Sequence, residues 1–374
     1  MGTEEVWILG GTGRSGRAIA TELVNRGLSP VLVGRDATRL AGAAVQVGTG
    51  TGVEPGVGPA RTVVADSLAA MAAEIRKQQP AVVINTVGPF ATTAGPIIEA
   101  CLPASHYIDL ANDVAAVLGT LGRNDGAGTA GRTLVTGAGF GVTATESVVV
   151  KLCAEKPGPI RVRVNMLPSL SLEAGRLGEA LAFGILDGAP GLEGGGRYQG
   201  RRYRDGRLAP ARLAGDVIHL TLPDGSTMST AGMPLGELIA AQRASGAPDV
   251  LSASSEAPTG TAVRALLPLV TALLGIAPVR EFAKRRLAQV QFKARERPRE
   301  YSWGHARLEW ADGTAREGWL RLGDAQAFTG AVPAEVAARL LAGAGKPGAY
   351  TPAALFGPSL AESCGGEYLL GSGS

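Results

Sequence analysis

Short, wholly apolar runs alternate with stretches of helical spacing along the first 140 residues. The pattern predicts strands at Glu5–Leu9, Ser29–Gly34, Arg61–Ala65, Ala81–Val87, His106–Leu110 and Arg132–Thr136. Between them, apolar residues recur every three or four positions over Gly16–Arg26, Leu68–Gln78 and Gly95–Ala100, which predicts helices. Strands that are apolar on both faces and joined by helices form a parallel sheet with helices on either side. The Gly48–Pro59 stretch reads as a surface loop before the third strand.

From about Pro157 the pattern changes to alternation of apolar and polar residues. Ile160–Leu167 and Val217–Leu222 read as half-exposed strands. Tyr301–Trp310 and Thr314–Leu322 flank Asp312-Gly313, a hairpin turn signal. Helices are predicted at Pro234–Arg243, at Thr261–Leu274, where they cover a sheet with core leucines at 266–274, and at Ala331–Gly343. The fold class expected is α/β: a Rossmann-type parallel sheet with an inserted α+β domain carrying an open mixed or antiparallel sheet. The boundaries are 1–140 for the nucleotide domain, 141–325 for a substrate and dimerisation domain, and 326–374 for a segment returning to the first.

Composition narrows the class. The chain has 374 residues, 45% of them hydrophobic and 18% charged, enough for two packed domains. No apolar run reaches the roughly 20 residues needed to span a bilayer. The N-terminus lacks the pattern of a signal peptide. Three well-separated cysteines suit reduced thiols, so a cytoplasmic protein without membrane partners is expected. Three histidines without close Cys/His spacing predict no metal site. A formal charge of +3 gives no case for nucleic acid.

The residues ILGGTGRSGRAIATEL follow a strand and open a helix, the setting in which spaced glycines bind a pyrophosphate. Gly10 suits the tight turn, Gly13 the approach of backbone to phosphate and Gly16 the packing of helix on strand. Gly11, Thr12, Arg14 and Ser15 complete the loop, whose free N–H groups would receive the anion. After the second strand stand Gly34 and Arg35, where NAD enzymes usually hold a carboxylate. A guanidinium there suits the 2′-phosphate of NADP. Asp36 is either a partner for Arg35 or a ribose contact. Asp66 is either a contact to adenine or a cap on the next helix. Thr86, Val87, Gly88 and Pro89 form the turn that ends the fourth strand, placed for a nicotinamide ribose unless it is a plain turn.

The loop GGTGRSG, the run Asn85-Thr86-Val87-Gly88-Pro89-Phe90, the Cys101 helix and the Tyr107-Ile108-Asp109 strand together resemble the saccharopine reductase-like family. That family also includes proteins labelled trans-acting enoyl reductases. Thr136–Gly141 (TGAGFG) and Pro347–Pro352 (PGAYTP) are similar to its later segments. The resemblance covers about the first 150 and last 50 residues and is poor between them. It implies an NADP-binding Rossmann domain, an inserted domain that mediates homodimerisation and a terminal helix packing back on the first domain. One departure is Ala111-Asn112-Asp113, where the family commonly shows Thr-Gly-Glu.

Chemistry then calls for a hydride donor and a proton source. None of the six tyrosines has Lys four positions later, so the Tyr–Lys route to ketone reduction is absent. Tyr107 and Asp109, at a strand end, are the candidate catalytic groups. The expected activity is NADPH-dependent reduction of a C=N bond in a small polar molecule. An enoyl reductase and a non-catalytic NADP sensor are the alternatives. Arg197–Arg207, with five arginines, is either a solvated hairpin or a site for a carboxylated or carrier-linked substrate, and not a nucleic-acid contact. His219 and His305 are read as packing residues.

Overall fold

The computed structural model describes residues 4–48, 59–171, 175–176, 186, 188 and 191–371. Most of the expected Gly48–Pro59 loop, residues 49–58, lies outside the described residues. The chain divides into two compact units. The first comprises Met1–Asn112, Ala116–Thr143 and Gln326–Cys364. The second comprises Asp113–Ala115, Ala144–Ala325 and Gly365–Ser374.

In the first unit the apolar runs become strands β1 (Val6–Leu9), β2 (Pro30–Gly34), β3 (Arg61–Val64), β4 (Val82–Asn85), β5 (His106–Asp109) and β6 (Thr133–Val135). With Gly348–Tyr350 they build one parallel seven-stranded sheet, in the order Gly348–Tyr350, β6, β5, β4, β1, β2, β3. β1, β2 and β4 are buried at every residue, as strands covered on both faces must be. Strand order reverses between β1 and β4, which sets the ligand crevice of such sheets at the ends of these strands.

Helices α1 (Arg14–Asn25), α2 (Ala37–Gly48), α3 (Leu68–Gln78) and α4 (Phe90–Cys101) connect the strands. α4 starts five residues before the expected Gly95 and accommodates Pro96 within it. α2 was not expected. It buries Leu40, Ala43, Ala44 and Val47, one stripe of helical spacing. The helix Ala325–Leu341 belongs to this unit from Gln326 onward. A Cβ at its Gly330 would lie 3.0 Å from the Ala18 Cβ, so the helix packs closely on α1.

The second unit carries a nine-stranded mixed sheet. Its path runs Arg207–Ala211, Gly200–Arg204, Asp249–Ser254, Arg161–Leu167, Ser302–Glu309, Ala315–Leu322 and Glu367–Leu370. The hairpin Ile218–Thr221/Thr227–Gly232 attaches to Asp249–Ser254. Only Asp249–Ser254 and Arg161–Leu167 pair in parallel among the described strands of this sheet. Glu367–Leu370 pairs with Ala315–Leu322, so the C-terminal return to the first unit ends before this strand. Helix Phe140–Glu155, not signalled by the pattern, lies against this sheet from Ala144 on. A Cβ at Gly304 would come within 2.7 Å of the Ala144 backbone.

One expectation is overturned here. The sequence pattern places leucines 266–274 in the core, yet helix Thr261–Gly275 contains no buried residue, and Leu269 is 60% exposed. The Arg197–Arg207 segment does form a hairpin. Asp205 and Gly206 both have positive φ, 51° and 75°, the turn that matches strand twist. Its Arg201 is an internal structural group: the guanidinium donates to the carbonyls of Glu193 (2.8 Å), Gln199 (2.7 Å) and Gly195 (2.6 Å), among others.

Candidate functional site

The candidate site lies within the first unit, where β1 ends. Gly10 adopts φ +78°, and a Cβ there would lie 2.6 Å from the Thr86 Oγ1. Glycine is needed on both counts. Gly11 backs onto β2, with the Leu32 Cβ 2.9 Å from where its own would be. At Gly16 a Cβ would sit 2.5 Å from the Gly10 carbonyl oxygen, so helix and loop close on each other. Gly13, by contrast, is exposed and precedes α1 with no side chain capping the helix. The first amides of a helix have no partner within it, and here they open beside Gly13. The Arg17 guanidinium donates to the Thr12 carbonyl (2.7 Å) and braces the loop. Arg14 is exposed, and the Ser15 Oγ accepts from the Gln326 Nε2 (3.3 Å).

At the end of β2, Arg35 is exposed and makes no hydrogen bond or ion pair to a described residue. Asp36 is otherwise engaged. Its Oδ1 accepts from the Arg39 N–H (3.0 Å) and its carbonyl from the Leu40 N–H (3.0 Å), so Asp36 caps α2. Of its two expected roles, pairing with Arg35 does not occur. At Asp66 the cap reading fails. Ser67 caps α3 through the Ala70 N–H (3.2 Å), while the Asp66 carboxylate is exposed beside it.

At the end of β4, the Asn85 amide shapes the turn that follows. Its Oδ1 accepts from the Val87 N–H (3.0 Å), and the Thr93 hydroxyl donates to the Val87 carbonyl (2.6 Å). The Gly88–Pro89 peptide is cis, and a Cβ at Gly88 would meet nothing within 4 Å. The backbone therefore borders open space there. The Asn85 Nδ2 also donates to the Tyr107 Oη (3.2 Å).

Tyr107 and Asp109 are both fully buried. The Asp109 Oδ1 accepts from the Ala111 N–H (3.0 Å), the Gly137 N–H (3.1 Å) and the Thr136 hydroxyl (2.8 Å). Oδ2 faces the Thr120 hydroxyl at 3.5 Å, and the Tyr107 phenol lies beside the carboxyl. Burial pushes the Asp109 carboxyl upward in pKa against these donors, and burial with the neighbouring carboxyl pushes the Tyr107 phenol well up. Tyr107 thus keeps its proton beside Asp109. The residues form a buried chain, Thr93–Asn85–Tyr107–Asp109–Thr136, that ties the ends of β4, β5 and β6. Their hydrogen-bonding capacity is taken up internally, so the geometry makes them positioning groups rather than donors to a substrate.

Sequence reasoning missed several members of this arrangement, Thr93 and Arg17 among them. Thr120, Thr136 and Gly137 complete the Asp109 shell from positions 11 to 28 residues away, and Gln326 reaches the loop from 311 residues away. Only the Thr-Gly pair carried a signal, in the TGAGFG run.

No family model matches the sequence, and no curated protein matches it. Among solved structures, the fold is similar to an apo saccharopine dehydrogenase (L-Glu forming) from Saccharomyces cerevisiae. The TM-score is 0.59 at 13% identity, over 99% of this chain and 100% of that one. A short-chain dehydrogenase from Sphingobium yanoikuyae in complex with NADPH aligns over 35% of this chain and 70% of its own, with 19% identity and a TM-score of 0.29. The first likeness shows the fold, a Rossmann-type parallel sheet with a second, mixed-sheet unit, and it is the fold that the resemblance implied.

Proposed function

We propose that the protein is an NADPH-dependent reductase of a small polar substrate, and that its reaction is reduction of a C=N bond. The observation that carries the cofactor reading is the pair Arg35 and Asp36. The guanidinium at the end of β2 is exposed and without a described partner, while the nearest carboxylate is occupied as the cap of α2. A 2′-phosphate has a charged donor there, and the carboxylate that NAD enzymes use for the ribose hydroxyls is committed elsewhere.

In this reading Gly10, Gly11, Thr12 and Gly13 shape the loop, with the Gly10, Gly11 and Gly13 N–H groups donating to carbonyls within the fold. The amides of Arg14, Ser15 and Gly16 at the start of α1 receive the pyrophosphate, while Asp66 meets the adenine and Thr86, Val87, Gly88 and Pro89 face the nicotinamide ribose. Bound NADPH would supply the hydride. Tyr107 and Asp109 hold the turn that shapes the nicotinamide side. Imine reduction asks least of such a site, because an iminium arrives already protonated and activated. Likeness of fold to a saccharopine dehydrogenase supports an oxidoreductase of this kind, as analogy.

Fluorescence titration of NADPH and NADH against wild type and Arg35→Ala tests the cofactor reading. Loss of one charged hydrogen bond, about 1.5–3 kcal/mol, weakens NADPH by about tenfold to a hundredfold and leaves NADH unchanged. Equal losses for both nucleotides would mean that Arg35 supports the fold and reads no phosphate. Nicotinamide oxidation with cyclic imines, set against enoyl thioesters, tests the reaction. Turnover of the thioesters alone would replace imine by enoyl reduction.

A further inference from the structure

Helix Thr261–Gly275 faces the opposite way from a core helix. Arg264, Leu267, Thr271 and Leu274, spaced as one helical stripe, are half-buried and point inward. Val263, Leu266, Val270 and Leu273 form the outward stripe, with Leu266 58% exposed. The next helix, Ala277–Ala288, leaves at a bend of 109° and extends the apolar face through Val279 and Phe282, the latter 60% exposed. Together they bare on the order of several hundred Å² of contiguous apolar surface, the range in which patches mark a binding face. The pair is seated on the unit by the Tyr198 hydroxyl, which donates to the Leu274 carbonyl (3.0 Å).

Charge says what that face meets. Residues 261–300 hold nine of the chain's 36 Lys and Arg and three of its 33 Asp and Glu, a net of +6, while the rest nets −3. Arg285, Arg286, Lys293 and Arg295 are exposed and make no ion pair with a described residue. The Arg286 guanidinium lies over the Phe282 ring, 5.2 Å from its centroid, so cation and apolar face are adjacent. Behind the first helix lies an open cavity of about 690 Å³ whose walls include Arg197, Arg212 and Arg264. The Arg264 Nε is buried there with no hydrogen-bond partner among described residues.

A second copy of the chain fits this face poorly. A two-fold contact sets a patch against itself, and here it would oppose two segments of net +6. Among the described residues no single helix is long and apolar enough to cross a bilayer, and the two helices of this pair turn by 109° at their junction, so they lie as two short segments rather than one straight one. An apolar face rimmed by free cations, lying flat on paired short helices, matches an anionic lipid surface.

We propose that Thr261–Gly275 and Ala277–Ala288 dock this protein on anionic membrane surface. Val263, Leu266, Leu269, Leu273 and Phe282 sink to the headgroup–acyl boundary, and Arg285, Arg286, Lys293 and Arg295 meet the headgroups. The docking stands independently of the reaction catalysed. Flotation of the full chain with vesicles of phosphatidylcholine alone, and with about one third phosphatidylserine, tests it. Binding is expected to the anionic vesicles and to weaken with salt. Arg285→Ala with Arg286→Ala should weaken it by about thirtyfold, the equivalent of ~1 kcal/mol per cation near the surface. Leu269→Glu with Phe282→Glu, both at exposed positions, should abolish it while leaving the circular dichroism unchanged. Absence of binding to anionic vesicles, equal binding to neutral ones, or variants that bind as wild type would overturn the proposal. So would a concentration-dependent dimer in ultracentrifugation that Leu269→Glu with Phe282→Glu dissolves, with no vesicle binding, because the occupant would then be a second copy.

Discussion

Gly16→Ala strikes the candidate cofactor loop at its tightest point. The added methyl would stand 2.5 Å from the Gly10 carbonyl oxygen and 2.9 Å from the Gly11 Cα. Relaxed non-bonded contacts lie at about 3.5–4.0 Å, so α1 and the loop must part by about 1 Å. Both neighbours are backbone, and no change of rotamer relieves the overlap. Overpacking of this kind costs about 1–3 kcal/mol. Each kcal/mol lowers Tm by about 2–4 °C in a unit of about 150–250 residues, so a fall of about 2–12 °C is expected. The same displacement moves the N-terminal amides of α1 away from a pyrophosphate. One charged hydrogen bond lost there weakens binding about tenfold or more, for NADPH and NADH alike, since both carry the pyrophosphate. Gly42→Ala is the control. Gly42 lies exposed within α2 with nothing within 4 Å of an added Cβ, so alanine should stabilise by about 0.5–1 kcal/mol and leave affinity unchanged. Calorimetric titration and thermal melts of the three proteins decide the matter. Wild-type affinity and Tm in Gly16→Ala would refute both the tight packing and the role of the loop.

Two buried groups should tilt stability with pH in opposite directions. Asp109 has its pKa raised by burial, so its folded form binds a proton more readily than the unfolded chain, and its stabilising contribution is complete below about 3.9 and is lost as pH rises through the folded value. Melts of wild type and Asp109→Asn should therefore show wild type losing ground to the variant as pH rises above about 4; wild type gaining on the variant as pH rises would mean that the donors outweigh burial. His305, 1% exposed, has its pKa lowered by burial, so its contribution is present above about 6.5 and lost as pH falls toward the folded value. The advantage of wild type over His305→Gln should shrink below about pH 6.5, and an advantage that increases on acidification would show that the ring is held as a cation by Glu317. The neutral tautomer is set by its partners: the Asn165 Nδ2 donates to Nδ1 (2.7 Å), because the Asn165 Oδ1 accepts from Thr230 (2.7 Å), and Nε2–H donates to Glu317 (2.9 Å).

Period and composition made some elements readable and hid others for physical reasons. β1, β2 and β4 stand out because runs of three to five consecutive apolar or small residues, buried throughout, suit a strand covered on both faces. α2 carries helical spacing at Leu40, Ala43, Ala44 and Val47, but alanine and glycine lower the contrast between its faces. Its clearest signal was Asp36, a helix cap that a cofactor-centred reading assigned to Arg35 or to ribose. Helix Phe140–Glu155 was illegible for another reason. Thr143, Thr145, Glu146 and Ser147 are all fully buried, so the helix has no polar face to mark its period.

The site divides along the same line. Gly10, Gly13 and Gly16 are local, and their spacing alone places a loop between strand and helix. The state of Asp109 is not local: its donors come from the turn after β6, from the helix containing Thr120 and from the turn after β5, and only the assembled sheet shows that its hydrogen-bonding capacity is taken up. Leucines 266–274 make the limit sharper still. A helical stripe in sequence says that one face is apolar, and a core is the ordinary place for it; what the face meets depends on which side the helix docks. Net charge misleads in the same way. At +3 the whole chain looks indifferent to anionic surfaces, yet that figure is the difference between a 40-residue segment at +6 and a remainder at −3. Binding responds to potential at the distance of a Debye length, about 8–10 Å at ordinary ionic strength, so the segment and not the total sets what this face attracts.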